Sequence, residues 1–202
     1  MPTICVWGSE RDIGRSISLR TRLHHRLLND FPVDGYNLTP DTARRICEIL
    51  RRHPGAAIYG FTSMLEYVAE KTLENRWSPA KGAVSVAWNG GEMLFPEQSS
   101  LFRRAFAVPI LNRYGGRELG PMACQYEDEG PLWVLRPWLF LEVVNESGKP
   151  AAPGESGRLI WTSTLCRGTP FLRYDIEDLG VYDAARSDES GVTALRELDG
   201  RL

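Results

Sequence analysis

In the middle of the chain, short apolar runs alternate with segments of helical periodicity. The three apolar runs are Ala56–Tyr59, Ala83–Trp88 and Val108–Tyr114. Between them, Ser63 and Glu66 have the spacing of a capping box that begins a helix over residues 63 to 75, and Pro96 begins a second helix. This order is typical of βαβ units on a mostly parallel sheet. We therefore predict an α/β subdomain over residues 56 to 120.

The sequence pattern is different on the two sides of this region. After Gly120 the chain consists of short apolar runs separated by turn residues, which favours a mainly antiparallel, β-barrel-like subdomain over residues 121 to 202. Before residue 56, Thr39 precedes an amphipathic helix, so residues 1 to 55 are expected to form a partial N-terminal segment with helices. The predicted fold class is α/β followed by a mainly antiparallel β part.

Composition excludes several classes of partner. Hydrophobic residues make up 43% of the 202 positions, enough for packed cores. The 24 basic and 26 acidic residues give a net charge of -2, which argues against nucleic acid. No run reaches the roughly 20 apolar residues of a membrane helix, so no membrane is expected. Four widely spaced cysteines predict reduced thiols in a cytoplasmic protein.

Glycines follow two of the predicted strands. Gly90 and Gly91 come directly after the second strand, and Gly115 and Gly116 follow the third. Open α/β sheets bind ligands in the crevice outside the carboxyl ends of their strands, so we expect a ligand there. For the Arg-Glu pair that comes next, two alternatives stay open: a surface ion pair, or contact with the ligand.

Four segments occur in the order of a known set of nucleotide-site motifs. They are NGGEMLFPEQ, NRYGGRELG, GESGRLIWTSTLCRGTPFLRYDIEDLG and ELDGR. Together they resemble the adenylate-forming (AMP-binding) superfamily, in the branch of phenylacetate-coenzyme A ligase and capsular polysaccharide biosynthesis proteins. The resemblance implies part of the N-terminal domain of an ATP-dependent ligase. Such an enzyme converts a carboxylate and ATP to acyl-AMP and pyrophosphate, and coenzyme A then accepts the acyl group as a thioester.

The resemblance also implies which residues bind the nucleotide. They are Gly90, Gly91, Glu92, Asn112, Tyr114, Gly115, Asp178 and Arg201. In such a site the backbone of the first glycine motif covers one face of adenine, and the ring of Tyr114 stacks on the other. Asn112 meets the exocyclic amine, while Asp178 and Arg201 lie at the ribose.

The same resemblance assigns the phosphate end. Arg117 stands where the superfamily commonly has threonine or serine, and its guanidinium would act as a catalytic group on the α-phosphate. Glu118 would hold the Mg²⁺ that bridges the phosphates. Tyr59, Phe61 and Gly116 are expected to line a pocket for the carboxylic acid, for which the branch suggests an aryl group. Core packing is the alternative for the two rings.

Two expected parts of such an enzyme are missing from the sequence. There is no Ser/Thr/Gly-rich phosphate loop and no lysine-bearing C-terminal lid. The expectation is therefore an internal, truncated piece of a longer ligase. The alternative is a vestigial nucleotide-binding module without catalysis. A homodimer and a complementing polypeptide both stay open as assemblies.

Overall fold

A computed structural model describes residues 1 to 8, 19 to 165, 168 to 187 and 191 to 201, with the backbone alone at positions 22 and 201. Within it the chain divides into two compact units, Met1–Asn112 and Arg113–Leu202. Each unit has its own sheet and its own apolar core.

The first unit is an α/β unit with a five-stranded parallel sheet. The strand order is β2-β1-β3-β4-β5. The strands are β1 (Thr3–Trp7), β2 (Asp30–Asp34), β3 (Ala56–Gly60), β4 (Val84–Asn89) and β5 (Ile110–Leu111). The helices are α1 (Leu19–Leu28), α2 (Pro40–Arg52), α3 (Thr62–Glu74) and α4 (Pro96–Phe106). Because β1, β3 and β4 are parallel neighbours, the segments that follow them emerge at the same edge of the sheet.

Apolar periodicity explains how the helices attach to this sheet. On α2 the buried side chains are Ala43, Ile46, Cys47, Ile49 and Leu50, one face of the helix. The N-terminus of α2 is capped by the Thr39 hydroxyl, which accepts a hydrogen bond from the Thr42 backbone N–H, as its sequence predicts. The predicted capping box of α3 is wrong. Phe61 is the N-cap residue, and its side chain makes no capping hydrogen bond.

The second unit is a curved seven-stranded antiparallel sheet in the order β6-β7-β8-β12-β11-β10-β9. The strands are β6 (Arg113–Gly116), β7 (Gly120–Cys124), β8 (Leu132–Val134), β9 (Leu139–Val144), β10 (Gly157–Ser163), β11 (Tyr174–Tyr182) and β12 (Ala194–Arg201). A short 3₁₀ turn, Ala184–Arg186, lies between the last two strands. The core includes Met122, Leu141, Leu159, Trp161 and Leu195. Their alternation along the strands places apolar side chains on one face.

The predicted fold class is confirmed: a parallel α/β part precedes a mainly antiparallel part. One predicted element differs in an informative way. The run Val108–Tyr114 is not a single strand, because β5 ends at Leu111 and β6 begins at Arg113 in the other sheet. Tyr114 therefore belongs to an antiparallel hairpin rather than to the parallel sheet. No helix in the described ranges is long and apolar enough to cross a membrane.

Candidate nucleotide-binding site

The loop after β4 is fixed by the buried side chain of Asn89. Its amide Nδ2 donates hydrogen bonds to the Thr62 hydroxyl at 3.0 Å and to the backbone carbonyl of Glu92 at 3.0 Å. Asn89 is fully buried, and an unpaired buried amide would be costly. The first residue of the predicted glycine motif thus ties the loop to the start of α3.

Glu92 completes this connection through its carboxylate. The Ser63 backbone N–H donates to one oxygen at 2.7 Å, and the Ser63 hydroxyl donates to the other at 2.9 Å. A carboxylate at a helix N-terminus satisfies free N–H groups and interacts favourably with the helix dipole. The cap that the sequence assigned to Glu66 is therefore supplied by Glu92, from a different part of the chain. Glu66 instead accepts a hydrogen bond from Gln98 at 2.8 Å.

Gly90 and Gly91 lie directly against two aromatic rings. A Cβ atom on Gly90 would be 2.6 Å from the Tyr59 hydroxyl oxygen, and one on Gly91 would be 2.5 Å from a ring carbon of Phe61. Gly91 also has φ +74°, a conformation that side-chain-bearing residues rarely adopt. The structure thus brings the predicted glycine motif together with two predicted pocket residues.

Trp7 extends these rings into an aromatic stack of three: Trp7, Tyr59 and Phe61. The ring centroid of Trp7 is 4.0 Å from that of Phe61 and 5.3 Å from that of Tyr59, with 15° between the planes in both pairs. All three rings are half-buried. Sequence reasoning missed Trp7. A usable signal was present, since Trp7 ends a strand and is followed by a glycine, as Tyr59 is.

In the second unit, Tyr114 and Asp178 come together. The Tyr114 hydroxyl donates a hydrogen bond to Asp178 Oδ2 at 2.6 Å, although 64 positions separate the two residues. Their strands, β6 and β11, have three strands between them in the sheet, so the contact depends on the curvature of the sheet. The Tyr114 ring centroid is 6.0 Å from that of the fully buried Trp161.

Arg201 lies directly opposite Asp178 in the register of β11 and β12. The Arg201 side chain lies outside the described part of the structure. Three predicted nucleotide residues, Tyr114, Asp178 and Arg201, therefore occupy neighbouring positions of one sheet, at least in their backbone. Asn112 is half-buried and is the last residue of the first unit.

Arg117 and Glu118 lie in the exposed turn of the hairpin that joins β6 to β7. Within the part of the chain that the structure describes, no ion pair joins them. Gly115 is required by the hairpin itself, because a Cβ there would be 2.5 Å from the Gly120 carbonyl oxygen. A Cβ on Gly116 would be 3.2 Å from a carboxylate oxygen of Glu118.

The exposed Glu118 carboxylate suits one way of holding magnesium. Mg²⁺ keeps several waters and is commonly bound through one or two carboxylates together with substrate phosphates. Among the residues that the structure describes, no three histidine, cysteine or acidic side chains are grouped as a metal site. A single exposed carboxylate fits a metal that arrives with a nucleotide.

A cavity of about 290 Å³ lies elsewhere in the second unit. Its lining includes Phe140, Val143, Arg173, Tyr182 and Val192. None of the predicted site residues lines it. Arg173 Nε and Glu142 Oε2, both in the lining, form an ion pair at 3.0 Å.

Solved ligases have the same architecture as this chain. A crystal structure of 2-hydroxyisobutyryl-CoA ligase in the postadenylation state, in complex with R3-HIB-AMP, matches with a TM-score of 0.71 and 20% identity, over 100% of this chain and 44% of that one. ATP-bound MatB from Rhodopseudomonas palustris matches with a TM-score of 0.65 and 14% identity, over 99% and 40% of the two chains. The chain has the fold of part of an adenylate-forming ligase.

A particular enzyme is similar in sequence as well. Phenylacetate-coenzyme A ligase of Escherichia coli (strain K12) is 26% identical over 165 residues, which are 79% of this chain and 33% of that protein. The chain thus spans about a third of the length of this curated relative. No protein-family model matches the chain. The relative and the solved ligases confirm the resemblance to the adenylate-forming superfamily that the motifs predicted.

Proposed function

We propose that this chain is the nucleotide-binding part of an ATP-dependent ligase that forms acyl adenylates, with coenzyme A as the subsequent acyl acceptor. The observation that carries the proposal is the hydrogen bond between Tyr114 and Asp178. The motifs assign these residues to adenine and to ribose, the two adjoining parts of one nucleoside. Two side chains that are far apart in sequence and have adjoining roles are expected to be adjacent, and a hydrogen bond joins them at 2.6 Å.

Adenine recognition requires a flat apolar surface together with a few hydrogen-bond partners. In the proposal, the Tyr114 ring stacks on the base. The adenine contacts that the motif resemblance implies for Gly90, Gly91 and Asn112 stay predictions. The half-buried Asp178 carboxylate accepts hydrogen bonds from ribose hydroxyls, assisted by Arg201. These contacts act equally on ground and transition states, so they supply affinity without rate.

Rate acceleration comes from groups that meet charge as it develops on the phosphates. Arg117 has five N–H donors in a geometry that suits two phosphate oxygens at once. Glu118 would hold Mg²⁺, which supplies further positive charge at the phosphates when it is bound. Both side chains are exposed at one hairpin turn, where a triphosphate can approach without moving the core.

We further propose that the carboxylic acid binds near the aromatic stack of Trp7, Tyr59 and Phe61. The pocket role that the resemblance implies for Gly116 stays a prediction. Half-buried rings offer a planar apolar surface, which suits an aryl acid such as phenylacetate. The relative from Escherichia coli is named for that acid. Expected assemblies are a homodimer or a complex with a complementing polypeptide. The expected localisation is cytoplasmic, which the wide spacing of the four cysteines in the sequence favours.

Calorimetric titration of the chain with AMP tests the nucleotide assignment. Asp178→Ala is expected to weaken binding at least about 10-fold, because it removes a charged hydrogen-bond acceptor. Glu197→Ala is the matched control, since Glu197 is an exposed carboxylate on the neighbouring strand β12. Equal affinity in wild type and Asp178→Ala would refute the ribose contact.

Pyrophosphate exchange in the presence of phenylacetate and Mg²⁺ then separates catalysis from binding. In a preparation that also contains the phosphate loop and the lysine-bearing lid, a ligase gives exchange that Arg117→Ala reduces, by about 10²–10³ if the guanidinium meets developing charge. A vestigial binding module gives AMP binding without exchange.

A further inference from the structure

We infer that the Tyr114 hydroxyl is a positioning group that orients the Asp178 carboxylate toward the ribose of a bound nucleotide. The inference rests on the proposed function and adds a second role to a residue assigned so far only to adenine. Its basis is the hydrogen bond from the hydroxyl to Asp178 Oδ2, at 2.6 Å. A neutral tyrosine hydroxyl donates one proton, and a bond of this length to a carboxylate is charge-assisted and strong.

Tyr114 is itself held in place, which is a requirement for a positioning group. Its ring packs against the apolar core of the second unit and lies 6.0 Å, centroid to centroid, from the fully buried ring of Trp161. The backbone on both sides of the contact is paired, since Tyr114 faces Ala123 of β7 and Asp178 faces Arg201 of β12. Ring and hydroxyl are thus fixed by different parts of one sheet.

The consequence for Asp178 follows from the geometry of a carboxylate. An ionised carboxylate has two oxygens and about four acceptor positions, and its terminal torsion rotates easily when nothing holds it. The bond from Tyr114 to Oδ2 restrains this torsion and so orients the acceptor positions of the carboxylate. Rigid acceptors gain affinity because less side-chain freedom is lost on binding.

The inference predicts that removing the Tyr114 hydroxyl weakens the binding only of nucleotides that carry ribose hydroxyls. Tyr114→Phe keeps the ring and its stacking surface and removes only the oxygen. The variant should therefore bind AMP more weakly but bind 2′,3′-dideoxyadenosine monophosphate unchanged, since that nucleotide has no ribose hydroxyl for Asp178. A hydroxyl with a merely structural role would affect both ligands alike.

Calorimetric titrations of wild type and Tyr114→Phe with both nucleotides provide the test. We expect AMP to bind about 3- to 10-fold more weakly to the variant, the range for one lost hydrogen bond. The dideoxy nucleotide should stay within about twofold of wild type. In an Asp178→Ala background, Tyr114→Phe should have no further effect on AMP. Tyr174→Phe, on β11, is the matched control and should bind both nucleotides as wild type does.

Three outcomes overturn the inference. Equal weakening of both nucleotides means that the hydroxyl supports the fold or the stacking surface. Unchanged AMP affinity in Tyr114→Phe, with weakened affinity in Asp178→Ala, removes the inference and leaves the proposed function standing. Absence of AMP binding to the wild-type chain overturns both.

Discussion

Gly91 is the position where a single methyl group should reveal most about the aromatic stack. In Gly91→Ala the added Cβ would lie 2.5 Å from a ring carbon of Phe61, well inside van der Waals contact. The ring cannot easily retreat, because Trp7 is stacked against it with centroids 4.0 Å apart. The backbone is also unfavourable for alanine, since φ at Gly91 is +74°.

The two penalties can be separated with a second glycine. Gly82 has φ +86°, and a Cβ there would meet nothing within 4 Å, so Gly82→Ala introduces only the backbone cost. That cost is about 1–2 kcal/mol for a left-handed residue with a side chain. Gly91→Ala adds overpacking of about 1–3 kcal/mol. The free energy of unfolding should therefore fall by about 2–5 kcal/mol in Gly91→Ala and by about 1–2 kcal/mol in Gly82→Ala.

Urea denaturation followed by far-ultraviolet circular dichroism measures both variants under identical conditions. Phe61→Ala provides the decisive background, because it removes the ring that the new methyl group meets. In that background Gly91→Ala should cost no more than Gly82→Ala does. If Gly91→Ala and Gly82→Ala are equally destabilising in the wild-type background, the ring does not lie against Gly91 and the reasoning fails.

Three further predictions concern single side chains. Glu92→Ala should lower the free energy of unfolding by about 1–2 kcal/mol in urea denaturation, because α3 loses its cap, whereas Glu92→Gln keeps an acceptor and should lose less. Burial raises the pKa of the Cys47 thiol, so mass spectrometry after alkylation should find the half-buried Cys124 modified and Cys47 protected until the chain unfolds. The hydrogen bond from the Asn37 side chain lowers the pKa of Asp34 below 3.8. The ionised Asp34 carboxylate therefore stabilises the fold above the unfolded-state pKa, and this stabilisation is lost as pH falls through the lower folded-state pKa. Asp34→Asn should remove this loss when the free energy of unfolding is measured against pH.

The order and type of the elements were available from sequence because they depend on local patterns. Alternation of apolar runs and helical periodicity predicted β3, α3, β4 and α4 nearly as the structure has them. Four motifs in the right order indicated the resemblance to the superfamily, because binding a nucleotide restricts the residue types at the site and their spacing in sequence. Strand β12 escaped prediction, because its polar run has no alternation strong enough to indicate a strand.

Only tertiary structure decided which distant groups meet. A local reading assigned the α3 cap to Glu66, but Glu92 supplies it from across a βα loop. The hydrogen bond from Tyr114 to Asp178 crosses an intervening set of three strands, so it depends on how the sheet curves. The sequence determines which residue types are available for such contacts. Propensity and periodicity act over only a few neighbouring positions, so they do not show which distant residues meet. Pairing between residues 64 positions apart depends on sheet order and register, which emerge only when each whole core is packed.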